Sequence, residues 1–461
     1  MRALVCVRVA GGELQPFDAC AVECALQSGA EVTVLSLCPP SAKEPLRALT
    51  RLGVSRVILL SDPVYAGADT LVTARILAAA AKKIGYDLIL CGRTTTEGET
   101  AQVGPMLATL LGIPLLPGVM ALSGGVVTLR GQGAPCPLAA PALLTVERSF
   151  PLRFPKLRSR LGEVECWDNG AIGLLPETCG LAGSPTRVIA TRESTAYARI
   201  CRPITVDEIP ALIEGLRQRD KLAAGEFPPS EERLPLVMAV GEQAMPAAKA
   251  VGERVLLLSQ DEPAALVAAI READPDAVLF PASAWGRNTA PAVAAMLGAG
   301  LCADCTGLTV KDGSLILTRP ARGGSITADI VCRTRPAMAT VRCEVTGAEV
   351  MLGLGKGTQG MRPAFSRLAE RLGASLAASR ALVDAGGAPY AEQIGLTGAK
   401  ASCKVYVAVG LSGAVQHTCA LEGADVVIAV NPDRDARIFS HADYGAVADA
   451  AALLAAFGMD L

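Results

Sequence analysis

Short apolar runs alternate with segments of helical spacing, and this alternation constrains the fold more than any other feature of the sequence. Apolar runs occur at Leu4–Val9, Glu31–Leu37 and Asp87–Cys91, and helical segments at Pro16–Gly29 and Asp69–Ile84 lie between them. Buried strands joined by helices are typical of a parallel sheet that is covered on both faces. The N-terminal part of the chain is therefore predicted to be α/β.

An internal repeat indicates that this fold occurs twice. Three blocks recur in the same order, with Asp87-Leu-Ile-Leu-Cys91, Thr100-Ala101 and Leu110-Leu-Gly112 matched by Asp276-Ala-Val-Leu-Phe280, Thr289-Ala290 and Met296-Leu-Gly298. A chance match between two alanine-rich βα segments is the alternative, but the shared order favours a true repeat. The segment 118–145 has shorter strands and turns, which predict antiparallel strands at a sheet edge.

Two boundaries divide the 461 residues into three units, which agrees with the usual domain size. Proline, glycine and charged residues at 223–233 predict a linker, and a second unit begins near Leu234. A third unit follows Val350. Its predicted elements are strands at Val405–Val409 and Val426–Val430, and helices at Phe365–Leu372 and Ala446–Ala456.

Charge and composition exclude several classes of protein. The net charge of −2 and the aromatic content of 3% argue against a protein built mainly to bind nucleic acid. No apolar run reaches the roughly 18 residues of a membrane-spanning helix. The 15 scattered cysteines are typical of a cytoplasmic protein that uses cysteine as a small apolar residue. With His417 and His441 as the two histidines, neither a His-rich metal centre nor a Ser-His-Asp triad is expected.

Two motifs are weak when taken alone. The glycine cluster Gly353–Gly360 does not have the spacing of a Walker A loop. A flexible linker and a close approach of backbone to a phosphate or flavin are both open interpretations. Cys302-Ala-Asp-Cys305 has no second pair for zinc and does not open a helix, so neither metal binding nor redox activity is expected there.

The third unit carries the strongest signal. Ser412-Gly413 follow an apolar strand and precede a predicted helix, an arrangement in which helix N–H groups bind phosphate. Arg380 and His417 in the same unit suit a cofactor that gains negative charge on reduction. From these residues alone, a nucleotide site and an ordinary α/β domain both remain open.

This third unit resembles the FAD domain at the C-terminus of the electron transfer flavoprotein alpha subunit, over the span from Ser379 to Asp449. Residues 234–350 resemble the first domain of that subunit, through Arg335-Pro-Ala-Met-Ala-Thr340 among other motifs. Residues 1–222 resemble the beta subunit. The motifs that carry this last resemblance are Gln15-Pro-Phe-Asp18, Ala66-Gly-Ala-Asp-Thr70, Thr100-Ala-Gln-Val-Gly-Pro105 and Arg153-Phe-Pro-Lys-Leu157.

The resemblance implies a fusion of the two subunits with the beta half first. Residues 1–222 would form the beta-like domain, 223–233 a linker, 234–350 the alpha N-terminal domain and 351–461 the FAD-binding domain. The expected class is α/β. The first two domains would be related Rossmann-like parallel sheets of the adenine-nucleotide-hydrolase type, and the third would be flavodoxin-like or DHS-like.

The resemblance also implies an FAD site. Arg380 would lie beside the isoalloxazine ring, Thr397 near N5 and His417 near the C2 carbonyl, in electrostatic roles. Asn431 and Asp449 would hold the adenosine end. The residues that would line the ribityl and pyrophosphate path are Ser379, Gln393, Ile394, Ser412, Gly413, Ala414 and Gln416. Further contacts would come from Lys356, Gly395, Leu396, Gly398 and Val415. Lys356 replaces the usual arginine of the family, which keeps the charge but loses the planar fork, and Leu396 replaces a usual glutamine.

The beta half of the family holds a second nucleotide, which is AMP in simple electron carriers and a second FAD in electron-bifurcating members. Its expected contacts here are Cys6, Gln15, Asp18, Gly98, Glu99, Thr100, Ala101, Gln102, Val103 and Gly104. Ser61-Asp62 and Ala66–Thr70 match the bifurcating members more closely. The hairpin between Val9 and Gln15 is shorter than the family pattern. No metal is expected.

The function implied is an FAD-containing electron carrier. It would accept electrons from an acyl-CoA-type dehydrogenase, as in fatty acid beta-oxidation, and pass them to a quinone reductase or to a ferredoxin or flavodoxin. A second FAD would add NADH-driven bifurcation. Leu157 would anchor the dehydrogenase partner. A non-redox adenine-nucleotide-binding protein is the alternative, whereas a hydrolase or transferase is not expected.

Overall fold

The computed structural model describes residues 1–130, 134–193, 199–218, 227–322, 326–342, 348–389, 392–395, 401–421 and 423–460. The contacts between residues divide the chain into two compact units. The first unit comprises Met1–Thr191, Phe227–Arg322 and Ala328–Arg342, and the second comprises Arg192–Glu226, Gly323–Thr327 and Cys343–Leu461.

The first unit begins with a nine-stranded sheet. Its strands, with a small hairpin of β2 and β3, are β1 (Arg2–Val7), β2 (Val9–Ala10), β3 (Glu13–Leu14), β4 (Glu31–Leu37), β5 (Arg56–Leu60), β6 (Leu88–Gly92), β7 (Leu115–Ser123), β8 (Val126–Leu129), β9 (Cys136–Pro137), β10 (Ala142–Val146) and β11 (Glu165–Trp167). The helices are α1 (Pro16–Gln27), α2 (Lys43–Ala48), α3 (Thr70–Ile84), α4 (Val103–Leu111), α5 (Asn169–Ile172) and α6 (Gly180–Gly183). The strand order is β11-β5-β4-β1-β6-β10-β7-β8-β9.

The antiparallel edge predicted for residues 118–145 is confirmed in part. Strands β7, β8 and β9 pair in antiparallel fashion at the edge of the sheet. The prediction is wrong for β10, which lies in the interior and runs parallel to both β6 and β7. All five residues of β10 are buried, and a wholly apolar strand of this kind suits the interior of a parallel sheet.

Three elements connect the two halves of the chain, namely β12 (Thr186–Glu193), β13 (Arg202–Pro203) and α7 (Ile209–Arg217). Helix α7 buries Ile209, Ile213 and Leu216. Their spacing of three to four residues places them on one face of the helix. Both β13 and α7 belong to the second unit, which begins at Arg192.

A second parallel sheet lies in the first unit. Its region contains β14 (Leu234–Val240), β15 (Gly252–Leu258), β16 (Ala277–Pro281), β17 (Leu301–Cys305), β18 (Gly307–Lys311), β19 (Ser314–Ala321), β20 (Ile326–Cys332) and β21 (Ala337–Val341), with α8 (Met245–Val251), α9 (Pro263–Ala273) and α10 (Gly286–Leu297). The parallel sheet has the order β15-β14-β16-β21-β17, and β12, β20, β19 and β18 form a separate four-stranded sheet.

The structure confirms the internal repeat. The order β4-β1-β6-β10-β7 in the first sheet matches β15-β14-β16-β21-β17 in the second. In both, the last pair of strands has an irregular register. At that irregularity the Gly118 N–H donates to the Thr145 hydroxyl over 3.0 Å, and the Asp304 N–H donates to the Thr340 hydroxyl over 2.8 Å. A shared order with a shared local distortion makes a chance match untenable.

The second unit contains one six-stranded sheet in the order β13-β26-β25-β24-β22-β23, with all five pairs parallel. Its further elements are β22 (Val350–Leu354), β23 (Ser375–Ala378), β24 (Ser402–Val409), β25 (Gly423–Val430) and β26 (Tyr444–Ala446), with α11 (Arg362–Leu372), α12 (Arg380–Asp384), α13 (Val415–Thr418) and α14 (Ala450–Ala456).

Three sheets that are wholly or mainly parallel, with helices joining their strands, confirm the predicted α/β class. The helix predicted at Ala446–Ala456 begins later, at Ala450, because the Asp449 carboxylate caps it by accepting from Ala452 N over 2.8 Å. Ala446 instead ends strand β26. Among the described residues, no helix combines the length and the apolar character needed to cross a membrane.

Candidate functional sites at the strand ends

The carboxyl ends of the parallel strands in the second unit bring together most residues predicted to contact FAD. Lys356 follows β22, Ser379 follows β23, and 412–417 follow β24. Asn431 follows β25, and Asp449 follows β26. The chain order of the sheet reverses between β22 and β24, since β23 lies on one side and β24 on the other. Ligands of open α/β sheets bind at such a reversal point.

Glycines hold the turns after β22 and β24 in close contact. The N–H of Gly355 donates to the Val409 carbonyl over 2.8 Å, and that of Gly357 donates to the Gly410 carbonyl over 3.3 Å. A Cβ at Gly355 would overlap the Gly410 carbonyl. The flexible-linker interpretation is therefore wrong for Gly353–Gly357, which end a strand and pack on backbone.

The loop after β24 is supported by a shorter helix than the sequence predicts. Helix α13 has four residues, so it contributes little dipole to an anion at Ser412-Gly413, and any anion would depend on the N–H groups of the loop itself. Gly413 is buried with a φ of +83°, and a Cβ there would overlap the backbone nitrogen of Ile438. The exposed residues of the loop are Ser412, Ala414, Val415 and Gln416.

His417 is buried beneath this loop. Its Nε2 lies 2.9 Å from the Tyr406 hydroxyl, and its Nδ1 has no hydrogen-bond partner among the described residues. Burial lowers the pKa of His417 to about 4. The backbone of Ile394 lies nearby and acts to raise this pKa, although it makes no hydrogen bond of normal geometry with Nδ1. The imidazole is therefore neutral at pH 7, and it can offer a hydrogen bond rather than a positive charge to a bound group.

Ser379 and Arg380 begin α12 at the end of β23. The Ser379 hydroxyl caps the helix by accepting from Leu382 N over 3.3 Å. Arg380 Nε donates to Asp384 Oδ2 over 3.0 Å, and the side chains are 33% and 58% exposed, respectively. An exposed pair of this kind is weak, so the Arg380 guanidinium can turn to a bound anion at small cost.

Asn431 and Asp449 shape the loops on the other side of β24. Asn431 is buried, donates from Nδ2 to the Leu411 carbonyl over 2.8 Å and accepts from Asp433 N over 2.9 Å. Asp449 is exposed and caps α14. The carboxamide of Asn431 therefore fixes the distance between the loops after β24 and β25.

The segment 393–395 lies beside the end of β23. Ile394 N donates to the Ala378 carbonyl over 2.9 Å, and Gln393 and Ile394 are buried. A Cβ at Gly395 would lie 2.6 Å from the Gln416 carbonyl, so this segment packs on the loop before His417. Lys356 is exposed. The predicted contacts Leu396, Thr397 and Gly398 lie outside the described residues.

A second cluster lies at the carboxyl ends of β1 and β6, where the chain order of the first sheet reverses. Gln15 and Asp18 reach this edge from the start of α1. Gln15 Oε1 accepts hydrogen bonds from the Thr96 backbone N–H over 3.0 Å and from its hydroxyl over 2.8 Å. Asp18 accepts from Arg8 N over 2.8 Å and from Gly92 N over 3.0 Å. Both side chains join the loops that follow the two strands.

The loop at 97–102 contains left-handed residues of the kind found in anion-binding loops. Glu99 and Ala101 have φ values of +52° and +54°, and Gln102 returns to the right-handed region. Alternation of this kind points successive N–H groups to one side, which forms anion-binding concavities. Left-handed non-glycine residues cost free energy and are concentrated at functional sites. Gly98 and Thr100 are half-buried in the same loop.

Helix α4 follows this loop directly. The buried Gln102 side chain accepts from the Thr70 hydroxyl over 2.7 Å and donates to the Leu301 carbonyl over 3.3 Å. Val103 begins the helix, and a Cβ at Gly104 would lie 2.7 Å from the Thr145 methyl group. Gln102 and Gly104 therefore fix where the loop ends and the helix begins.

Gly92 is missing from the sequence predictions, and Gly353 occurs there only as a member of the glycine cluster. A Cβ at Gly92 would lie 2.5 Å from Asp18 Oδ1, so only glycine fits beside that carboxylate. A Cβ at Gly353 would overlap the Tyr406 hydroxyl, which is the partner of His417. The available signal is a glycine inside or at the end of an apolar strand, where it often marks a close approach.

Asp18 has an unusual ionisation. Burial raises the pKa of its carboxyl to about 7, and the Arg8 and Gly92 N–H groups with the Arg8 charge oppose this rise. Cys6 and Cys91 lie side by side on β1 and β6, and burial raises the pKa of Cys6 to about 12 and that of Cys91 well above its ordinary value. Both thiols stay neutral at physiological pH, so Asp18 is the group that titrates there.

We expect Asp18→Asn to change how stability depends on pH. A carboxyl with a pKa of about 7 in the folded state, against roughly 3.9 unfolded, stabilises the fold when protonated and loses that contribution as the pH rises. The free energy of unfolding of the native protein should fall relative to Asp18→Asn by roughly 1.4 kcal/mol per pH unit between about pH 4 and 7. Urea unfolding of both proteins at several pH values measures this, and parallel profiles would contradict it.

The predicted partner anchor Leu157 lies on the surface. Leu157 and Phe154 are 98% and 93% exposed on one segment. Cys302 and Cys305 are buried in and beside the irregular pairing of β17, and the described residues contain no cluster of side chains that could hold a metal ion.

Sequence profiles of known families match most of the chain. The profile of the electron transfer flavoprotein domain matches twice, at residues 3–169 and 236–362. The chain belongs to the electron transfer flavoprotein family. The profile of the electron transfer flavoprotein FAD-binding domain matches residues 344–422, which include the strands β22 to β24 and the loop with His417. The two matches of one profile coincide with the two repeated sheets.

Curated relatives are similar to part of the chain. Protein FixB of Clostridium saccharobutylicum is 35% identical over 225 residues, which are 39% of this chain and 67% of that protein. The electron transfer flavoprotein subunit alpha of Thermoanaerobacterium thermosaccharolyticum is 34% identical over 39% of this chain and 68% of its own length. The acryloyl-CoA reductase electron transfer subunit beta of Anaerotignum propionicum is 32% identical over 39% and 70%, respectively. The chain thus spans about two thirds of these relatives.

Proposed function

We propose that the protein is an FAD-containing electron carrier. The observation that supports this most strongly is the position of the predicted FAD contacts, which follow successive parallel strands at the reversal point of a sheet within an FAD-binding-domain match. The bound FAD would supply reversible uptake of electrons. Determination of the flavin that is bound to the purified protein tests this proposal, and a protein that neither contains nor takes up FAD would contradict it.

The residues at this edge fit a flavin nucleotide. The buried His417 Nδ1 has no hydrogen-bond partner among the described residues and is suited to a polar atom of a ligand. Gly395 and Gly413 keep backbone close together where a side chain would intrude. Arg380 would provide positive charge near the flavin and His417 a neutral hydrogen bond, while Asn431 and Asp449 would position the adenosine end.

We further propose that the chain combines a beta-like and an alpha-like subunit. The repeated domain match and the alpha-type relatives support this arrangement. The proposed parts remain 1–222, 234–350 and 351–461, with a linker at 223–233. A covalent fusion would hold the two parts at a one-to-one ratio and at high effective concentration.

The cluster around Gln15, Asp18 and the 97–102 loop is proposed to hold a second nucleotide. Left-handed backbone at Glu99 and Ala101 before α4 supports a phosphate at this loop. AMP at this position would give a simple carrier. A second FAD would give an NADH-oxidising, bifurcating protein, which the match at Ser61-Asp62 and Ala66–Thr70 favours.

The proposed partners are an acyl-CoA-type dehydrogenase as donor and a quinone reductase, ferredoxin or flavodoxin as acceptor, in the cytoplasm. One relative is named as an electron transfer subunit of acryloyl-CoA reductase, which supports a donor or acceptor of this chemistry. Exposure of Leu157 and Phe154 supports that segment as the anchor for a partner, because large apolar side chains at this exposure commonly bury on binding.

A Leu157→Asp variant tests the anchor. We expect electron transfer from the dehydrogenase to slow by at least about tenfold at low partner concentration, since an interface anchor contributes roughly 2 kcal/mol. Leu175 is 62% exposed elsewhere on the surface, so Leu175→Asp is the matched control. Stopped-flow reduction measures both, and equal rates for the two variants would exclude Leu157 as the anchor.

Arg380→Ala tests the electrostatic role at the flavin. We expect the midpoint potential to fall by about 30 mV or more, because loss of one charge-assisted hydrogen bond of about 1.4 kcal/mol has that effect on a two-electron couple. Arg380→Lys should retain most of the potential, and Asp384→Asn, which frees Arg380, should not lower it. A spectroelectrochemical midpoint unchanged in Arg380→Ala would refute the role.

The competing function is a non-redox adenine-nucleotide-binding protein, supported by the Rossmann-like sheets of the first unit. If the protein has this competing function, it should be colourless and should bind AMP or a related nucleotide but no flavin. The FAD-binding-domain match at 344–422 weighs against it.

A further inference from the structure

A cluster of arginines in the first unit lies outside the residues assigned to either nucleotide. Arg342 follows β21, and its Nη2 lies 2.8 Å from Asp304 Oδ2. Arg287, in the first turn of α10, approaches the other oxygen of Asp304 at 3.4 Å. On β19, Thr318 is opposite Gly307 of β18, which places Arg319 beside Thr306, two residues along the chain from Asp304. Two guanidinium groups thus contact one aspartate, and a third, that of Arg319, acts on Arg287 through its charge.

Arg319 is the distinctive member of this cluster. Its side chain is buried at 6% exposure, and its Nε has no hydrogen-bond partner among the described residues. No ion pair of Arg319 occurs within the described part of the chain, although its charge acts on both Arg287 and Cys305. Burial of a guanidinium N–H group without an acceptor is costly. An oxyanion bound here would supply that acceptor.

The cluster also repels itself. Burial lowers the pKa of Arg287, and the positive charges of Arg93, Arg342 and Arg319 lower it further, although Asp304 acts in the opposite direction. Positive charges thus outnumber the Asp304 carboxylate around Arg287, although Arg93 is itself paired with Glu147. A further negative charge at this place would relieve the repulsion.

Access and geometry favour a phosphate. The side chains of Arg287 and Arg342 are 38% and 23% exposed, so solvent reaches both, whereas Arg319 is 6% exposed. Guanidinium groups bind phosphate oxygens through pairs of parallel hydrogen bonds. A phosphate carries close to two negative charges at pH 7 and can accept from several guanidiniums at once.

We propose that Arg287, Arg319 and Arg342 form a phosphate-binding site, built from residues that neither proposed nucleotide site uses. The ligand is inorganic phosphate or the phosphate monoester of a small molecule, which share the chemistry that the three arginines recognise. Arg319 forms the inner wall of the site, and Arg287 and Arg342 form its rim. Asp304 holds the two rim guanidiniums in position.

Calorimetric titration with inorganic phosphate tests this proposal, on full-length protein that retains its nucleotides so that the strand-end sites are filled. We expect binding to the native chain, with the dissociation constant raised at least tenfold in Arg287→Gln and in Arg319→Gln. Arg271 is exposed in the last turn of α9, so Arg271→Gln is the control and should bind like the native protein. Methyl phosphate, titrated in parallel, separates the two sources: tighter binding than phosphate indicates a monoester.

Two results would overturn the proposal. One is the absence of phosphate binding to the native chain. The other is an equal dissociation constant in Arg287→Gln and Arg271→Gln. Arg319 is buried, so Arg319→Gln can fail to fold, and circular dichroism detects such a failure. Arg287 is only half-buried, so Arg287→Gln still tests the proposal if that happens.

Discussion

Replacing Gly413 by alanine should release FAD from the second unit. Gly413 has a φ of +83°, and an added Cβ would overlap the backbone nitrogen of Ile438, which cannot move aside as a flexible side chain can. Overpacking of this kind costs about 1–3 kcal/mol, and the left-handed backbone adds about 1–2 kcal/mol. The loop at 411–414 would have to shift, and we expect the affinity for FAD to fall at least tenfold.

Gly360 provides a matched control for this experiment. It has the same φ of +83°, but no heavy atom lies within 4 Å of an added Cβ. Gly360→Ala therefore carries the backbone cost without the overlap, and we expect it to retain FAD. Flavin content after gel filtration and the dissociation constant from flavin fluorescence measure both variants. Equal retention by the two would show that the loop after β24 does not determine FAD binding.

A second large effect is expected for Glu147→Gln in the first unit. Glu147 is fully buried at the end of β10, with Arg93 Nε at 2.8 Å and Arg130 Nη1 at 3.6 Å from its Oε1. Removal of one charge from a buried pair leaves the other charge without compensation and commonly costs about 3–5 kcal/mol. We therefore expect the free energy of unfolding to fall by about 3 kcal/mol, as measured by urea unfolding.

The exposed pair of Asp274 and Arg335 is the control for Glu147→Gln. Their side chains are 75% and 57% exposed at a separation of 3.7 Å, so Asp274→Asn should change stability by less than about 1 kcal/mol. Asp274 has a φ of +45°, which asparagine tolerates well. Similar losses in the two variants would mean that burial of Glu147 does not govern its contribution.

The strand and helix pattern of the sequence predicts the architecture well because buried strands in a parallel sheet differ clearly from alanine-rich helices. The internal repeat can be recognised in the sequence for the same reason, because both sheets are built from the same order of strands and helices. The sequence predictions are wrong where tertiary contacts determine the position or the length of an element. Strand β10 lies among turns in the sequence yet inserts between β6 and β7, and Ala446 completes a strand before Asp449 starts α14.

Two sources predict the nucleotide clusters: the family resemblance, and the tendency of ligands to bind at the carboxyl ends of parallel strands where the chain order reverses. Neither source identifies Tyr406 as the partner of His417, or Gly92 as the neighbour of Asp18, because each pair joins different elements. The arginine cluster is harder still. Arg287, Arg319 and Arg342 come from a helix, a strand and a loop that only the fold brings together.

The nucleotide content of the purified chain decides whether the protein carries a flavin. An absorbance spectrum, with chromatography of the nucleotides released by denaturation, identifies what is bound and in what ratio to protein. We expect a flavin spectrum and at least one FAD per chain, together with AMP in a simple carrier or a second FAD in a bifurcating protein. A colourless protein that also fails to take up added FAD would exclude a role as a flavin-containing electron carrier.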